Sequence, residues 1–503
     1  MSRQLSAVFE KYQHARREFV QTVADQASRP ENIQSLISFG VLALLHPLLL
    51  DHVSTIQQTA ALALARLANS SVEIANQIVD ESILPEIVAG LNSSDAYYKK
   101  NACFVIKALA QHSSNLAQQT VDAGALDPLV RCLEVGDVRV RESAAAALGA
   151  IAGHTPELAQ AVFDANALQF LIVVVMEQEP SLKRVSVSTL GEIAKHTPKL
   201  AQLVIGVQAI PRIAPLLGSQ DSKLKAQACK TLGCIAKHSV DCAEAVVEGE
   251  IFPNVHHCLR DKDPTVRKNA VILIREIVKH TQELAQLVVT VGGAPELVSF
   301  LKPEMGNEPL NGVLAVGFIA AYTPQLAQSF LQEGAANILI NVFTDAFADV
   351  LRMTTAWAIA QIAKHSTDHA MPFIKLDALG LILNAYNEVQ DDPDIQMRMK
   401  RSLKLIIERC TEIEYLRPLI DVAPEPVLKP ILEQISKLIL KNTEAKKYLF
   451  NSDGLKVIMA IEADQTSKIR EHIENIAAAY PPNAVRFCSP NITETLAQEA
   501  CSS

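Results

Sequence analysis

One phrase in this chain returns at a fixed interval. Ile151-Ala152-Gly153-His154-Thr155-Pro156-Glu157-Leu158-Ala159-Gln160 reappears as Ile193 to Gln202, with Lys195-His196-Thr197-Pro198 inside it. Shorter copies stand at Ile235-Ala236-Lys237-His238, Ile277-Val278-Lys279-His280, Ile319-Ala320-Ala321-Tyr322 and Ile362-Ala363-Lys364-His365. The residue after the isoleucine, or after its Leu or Val counterpart, serves as an anchor. The anchors are Ala24, Ala68, Ala110, Ala152, Ala194, Ala236, Val278, Ala320, Ala363 and Ile407. From Ala68 to Ala320 the step is always 42 residues, with 44 before Ala68, then 43 and 44 after Ala320. Weaker echoes follow at Leu440 and Ala477 with shortened spacing. Such a period excludes a chain wrapped around one central core. Each unit buries its apolar face only against the next, so the units must stack.

Each period has the same grammar. After the anchor, Thr-Pro starts a short helix, with Thr as N-cap and Pro at the first helical position. A Gly or small-residue break follows, as in Gly124-Ala125-Leu126-Asp127-Pro128. A strongly apolar second helix comes next (Leu168 to Met176), then an acidic turn residue: Asp95, Asp137, Glu179, Asp221 or Asp263. A third helix runs from there to the next anchor. Eight positions before the anchor sits a small residue (Ala60, Ala102, Ala144, Ser186, Ala228, Ala270, Gly312, Thr355). Four before sits an aliphatic one (Leu64, Ile106, Leu148, Leu190, Leu232, Ile274, Val316, Ile359). That spacing puts both on one face, where small residues let helices approach closely.

Three helices per period of about 42 residues suit armadillo rather than two-helix HEAT repeats. The expected fold is therefore all-α, a right-handed α-solenoid (superhelix) of armadillo repeats. Residues 1–27 read as an N-terminal helix capping the stack, 28–409 as about nine repeats, 410–480 as degenerate shortened repeats and 481–503 as a C-terminal tail.

Composition narrows the function. Among the 503 residues 49% are apolar but only 5% aromatic, and the formal charge is −9. A mildly acidic chain has no overall pull toward nucleic acid or an anionic membrane. Nine scattered cysteines suggest free thiols in a reducing compartment. No secretion signal or bilayer-length apolar run is read, and no P-loop, dinucleotide fingerprint or nucleophile elbow. The expectation is a non-enzyme with no cofactor and no metal.

Three rows of residues invite function. His112, His154, His196, His238, His280 and His365 share one register, with Tyr322 in the gap. Separate repeats hold them too far apart for one ion, so they read as cation-capable residues at helix C-termini, where the dipole favours them. Lys99, Arg141, Lys183, Lys225, Arg267 and Arg352 lie eleven before their anchors. The first five follow the acidic turn residue by four, and the row reads as buried stems with paired heads, a structural inter-repeat row. Cys229, Cys234, His238, Cys242 and Cys258, with His256-His257, crowd one repeat, but without Cys-x-x-Cys spacing they do not read as a zinc site.

What varies between repeats is the opposite face of the third helix. Its candidate protein-binding residues are Tyr97, Asn101, Phe104, Arg139, Lys223, Gln227, Lys230, Asn269, Asn311, Phe318, Trp357 and Gln361. Exposed variation on a regular frame is what partner recognition needs.

Finer motifs carry a resemblance. Leu48-Leu49-Leu50-Asp51, the run Thr55 to Leu64, Tyr98-Lys99-Lys100 and Gly124-Ala125-Leu126-Asp127 are similar to the sperm-associated antigen six family. So are Glu250-Ile251-Phe252-Pro253, Leu273-Ile274-Arg275-Glu276-Ile277 and the stretch from Tyr480-Pro481 to Ser489-Pro490. These are armadillo-repeat proteins of the axonemal central pair, and the resemblance spans essentially the whole chain. It implies a structural scaffold of the central apparatus (C1 microtubule) of motile cilia and flagella, needed for axoneme stability and motility. The implied location is cytoplasm, cytoskeleton and axoneme. The implied partners are central-apparatus proteins and microtubules, with room for self-association along the tubule, and neither nucleic acid nor membrane. Lys302-Pro303-Glu304-Met305-Gly306-Asn307 departs from the regular acidic turn and leaves the repeat boundary open there. The alternative is a cytosolic or nuclear-import adaptor binding linear peptides. That class carries repeated Trp and Asn on the third helix, where this chain has Phe104/Ala108, Ala146/Ala150, Ser188/Glu192, Lys230/Cys234 and Trp357/Gln361.

Overall fold

The third helices end where the anchors stand. Ser54–Ala68, Ala96–Ala110, Val138–Ala152, Pro180–Ala194 and Ser222–Ala236 are each fifteen residues long. Asp349–Ala363 and Pro393–Ile407 match them further along the chain. The computed structural model describes residues 3–389, 391–462 and 467–488, and among these there is no strand. The chain divides into two compact units, residues 1–277 and 278–503.

In the first unit each third helix packs on the one before it, and the N-terminal helix Arg3–Gln26 packs on Ser54–Ala68. The seam is apolar and dry. Ala68, Ala110, Ala152, Ala194 and Ala236 are fully buried, as are Leu64, Ile106, Leu148, Leu190 and Leu232 one turn earlier. Small residues set the close approach. A Cβ on Gly149 would lie 2.6 Å from the Thr189 hydroxyl, and one on Gly191 2.6 Å from that of Thr231. Those hydroxyls donate across the seam, Thr189 to the Ala145 carbonyl (2.8 Å) and Thr231 to Val187 (2.9 Å).

Side-chain caps start the helices. Asp95, Asp137 and Asp221 accept from backbone N–H groups of the third helices they precede. Ser71, Ser113, Thr155, Thr197 and Ser239 do the same for the short first helices. Glu179 stands in the same slot without a capping bond. The break before the second helix is conformational rather than a matter of small size. One residue per repeat takes positive φ: Gly40, Ser82, Gly124, Asn166, Gln208, Glu250, Gly292, Gly334 and Asp377. Only four of these are glycine, the residue that enters this region without strain.

In the second unit Leu310–Tyr322, Asp349–Ala363, Pro393–Ile407 and Glu425–Lys441 pack in sequence, and Lys468–Ala478 packs on Glu425–Lys441. The irregular stretch at 302–310 is a short 3-10 turn, Pro303–Met305, closed by a left-handed Gly306. The helix after it is shortened to thirteen residues. Two expectations change here. Leu440 is not an anchor, being 70% exposed; Ile431, Ile435 and Ile439 fill the buried stripe instead. The chain after 481 begins with a helix, Pro482–Cys488, while 489–503 lie outside the described residues.

Candidate functional site

Three consecutive third helices of the second unit enclose a groove of about 740 Å³. Leu310–Tyr322 supplies Leu314 and Phe318. Asp349–Ala363 supplies Met353, Thr354, Trp357 and Gln361. Pro393–Ile407 supplies Met397, Arg398, Arg401, Ser402 and Leu405, and Lys364 closes one end. Phe318 meets Trp357 edge to face, ring centroids 5.3 Å apart at 70°. The indole sits over Gly317, where no Cβ would fit. The Lys364 ammonium donates to the Ala321 carbonyl and to Gln361 Oε1, 2.7 Å each, and burial lowers its pKa. Of the residues expected on the binding face, the structure gathers Phe318, Trp357 and Gln361 here. The cationic third wall is an addition. The same register counted back from Ile407 points to Arg398, Arg401 and Leu405.

In the first unit the corresponding face is shallower. A cleft of about 400 Å³ is floored by Ala146, Gly149, Ala150, Gly153 and Ser188, between Lys107 and Glu192. Burial acts to raise the Glu192 carboxyl, but Lys195 (2.5 Å) and Lys230 (3.0 Å) hold it below its ordinary value. Tyr97, 54% exposed, carries the Arg139 guanidinium 4.6 Å above its ring. Arg139 also grips Asp137 at 2.8 Å and pulls that carboxyl down to about 2. Lys223 is exposed, and Phe104 and Asn311 are half-buried. Gln227 is half-buried too, its amide 3.4 Å from the Thr231 hydroxyl.

Asn101 and Asn269 do not belong to this face. Asn101 is only 8% exposed and donates to the Gln58 carbonyl at 2.8 Å; Asn269 donates to Ala226 at 2.9 Å. Both amides are spent on the preceding third helix, so they bind repeat to repeat.

Residues 113–153 match the Armadillo/beta-catenin-like repeat family. Mouse Sperm-associated antigen 6 is 67% identical over 496 residues, 99% of this chain and 98% of its own. The chain belongs to the sperm-associated antigen 6 family. Human Sperm-associated antigen 6 is 43% identical over 150 residues, 30% of each chain. An engineered protein of known crystal structure shares the fold at TM-score 0.69 and 20% identity, covering 87% of this chain and 98% of its own.

In this sperm-associated antigen 6 family member, the recurring polar rows tie each repeat to a neighbour. His112, His154, His196 and His238 place Nε2 2.6–2.8 Å from the carbonyls of Ala68, Ala110, Ala152 and Ala194. In the second unit His365 does the same to Ala320 at 2.7 Å. A carbonyl only accepts, so Nε2 carries the proton. Burial lowers His196 and His365 below the ordinary imidazole value, which makes these two neutral donors rather than cations serving a helix dipole.

The basic row is paired differently from the expected i, i+4 pattern. Arg141 meets Glu177 (2.7 Å), Lys225 meets Asp261 and Arg352 meets Glu388 (2.9 Å), each partner 36 residues further on, near the entry to the next third helix. Arg267, 8% exposed, donates to the carbonyls of Asp261 (2.7 Å) and Lys262 (3.0 Å). Lys99 and Lys183 make no ion pair among the described residues. Of the cysteine cluster, Cys229, Cys242 and Cys258 are core, while Cys234 is half-buried. Cys229 pairs with buried Cys258, and Cys103 with Cys132; that hydrogen bond and burial push the Cys229 and Cys103 thiols up. Among the described residues no three His, Cys, Asp or Glu side chains are grouped to hold a metal ion.

Proposed function

We propose that this chain is a non-enzymatic scaffold of the central apparatus of motile cilia and flagella. It associates with the C1 microtubule and maintains axoneme stability and motility by binding other proteins. The observation that carries the reading is the 67% identity to mouse Sperm-associated antigen 6 across almost the entire chain. The repeat architecture supports it. The frame is held by bonds between neighbouring repeats, which leaves the outer face of the third helices for partners. The groove of about 740 Å³ around Trp357 offers a place on that face for a partner. A tagged copy in ciliated cells tests the reading. Signal along the axoneme, and paralysed or unstable flagella on its removal, are expected. A nuclear or junctional signal with no ciliary signal would replace it with the cytosolic or nuclear-import adaptor.

A further inference from the structure

The groove beside Trp357 differs from the rest of the outer face in two respects. Its floor is aromatic and rigid, because Phe318 braces the indole and Gly317 gives it a seat. Its charge has one sign. Lys364, Arg398 and Arg401 line it, and no carboxylate does. Two of these cations are engaged: Lys364 with carbonyl oxygens, Arg398 with Asp394 at 2.9 Å on the same helix. Arg401 is exposed and makes no ion pair among the described residues.

We propose that this groove takes an extended acidic segment of a partner protein, an apolar side chain against Trp357 and a carboxylate against Arg401. This rests on the scaffold reading above and names the class of partner. The dimensions fit an extended chain. Packed helices stand about 8–10 Å apart and an extended chain advances about 3.3 Å per residue, so roughly three residues span each helix. An acidic residue and an apolar one can then recur in step with the helices. An Arg guanidinium is suited to a carboxylate because it presents two parallel donors. Lys364, bound only to neutral oxygens, adds positive charge that disfavours basic peptides, while Asp394 balances Arg398. A nucleic acid is the less favoured polyanion, since the chain as a whole carries −9 and offers it no extended basic surface.

Trp357 is the sole tryptophan of the chain, so its emission reports on this groove alone. The full chain is titrated with labelled peptides of about nine residues, built from Glu-Glu-Leu, Gln-Gln-Leu or Lys-Lys-Leu triplets to match three residues per helix. Peptide anisotropy and Trp357 emission are read together. The Glu peptide is expected to shift the emission and to bind on the order of tenfold tighter than the Gln peptide, with the Lys peptide weakest. Arg401→Glu should lose that preference while circular dichroism stays unchanged, and Arg401→Lys should keep most of it. Equal binding of the Glu and Gln peptides, an Arg401→Glu variant that binds as before, or tighter binding of a single-stranded oligouridylate would each overturn the proposal. The axonemal reading would survive such a result, because localisation tests it separately.

Discussion

Nε2 of His154 lies 2.6 Å from the carbonyl oxygen of Ala110, the last residue of the preceding third helix. That carbonyl is one of the four a helix C-terminus leaves without an internal partner. The imidazole supplies the donor from the next repeat. His154→Ala is therefore expected to cost about 1 kcal/mol, the usual net worth of such a bond. Denaturant unfolding of the two proteins side by side measures it, and an unchanged midpoint would show the carbonyl to be served by water.

The burial of two members of this histidine row, which outweighs the opposing pull of the carbonyl bond, predicts a pH dependence. Burial lowers His196 and His365 in the folded chain, so below their ordinary value near 6.5 the unfolded chain binds more protons than the folded one. Their contribution is fully present above that value and is lost as pH falls from there toward the lowered folded pKa. Melting temperature should drop on acidification through this window, and less so in His196→Gln. A variant that tracks the parent at every pH would remove His196 from the account.

Arg267→Ala should destabilise the first unit by about 2 kcal/mol, because a charged donor leaves two backbone carbonyls behind. Lys183→Ala, with no ion pair to lose, should stay within about 0.5 kcal/mol of the parent. Thermal melts of both variants decide between a structural row and a chance one; equal effects would dissolve the distinction.

Gln208 holds φ at 59° and is exposed, in the slot filled elsewhere by Gly124 and Gly334. Left-handed backbone costs a residue with a Cβ roughly 1–2 kcal/mol, so Gln208→Gly should raise stability by about 1 kcal/mol after the entropy of the unfolded glycine is counted. A fall in melting temperature would mean that the side chain does something the backbone does not show.

Gly149→Ala should cost about 1–3 kcal/mol, since its methyl meets the Thr189 hydroxyl at 2.6 Å. Adding Thr189→Ala ought to recover part of the loss. If the double variant is simply additive, the close approach is not what Gly149 provides.

Much of this frame can be read from the anchors. Helix ends, caps and the buried stripe follow from local rules that act within one repeat, and Thr155-Pro156 is as legible as Ala152. What escapes is whatever crosses from one repeat to the next. A helical wheel drawn for Arg141 finds Asp137 four residues away and cannot see Glu177, which stacking brings to 2.7 Å. Asn101 looks exposed on its own helix and is covered by the neighbouring one. Gln208 and Glu250 hide their left-handed backbone behind ordinary side chains. At Leu440 the register slips by one residue, Ile439 being buried in its place. Arg398 and Arg401 were within reach, since Arg401 keeps the spacing from Ile407 that Trp357 keeps from Ala363, and Arg398 the spacing that Thr354 keeps.

The histidine, asparagine and threonine bonds each reach back one repeat and no further. Wiring of that kind confines a defect to its neighbourhood. A damaged repeat should open as a local blister while distant ones stay closed, and heat should release the chain in successive steps. Calorimetry would then record a total enthalpy larger than the one inferred from the sharpness of any single transition. Yielding at one joint would then spare the rest.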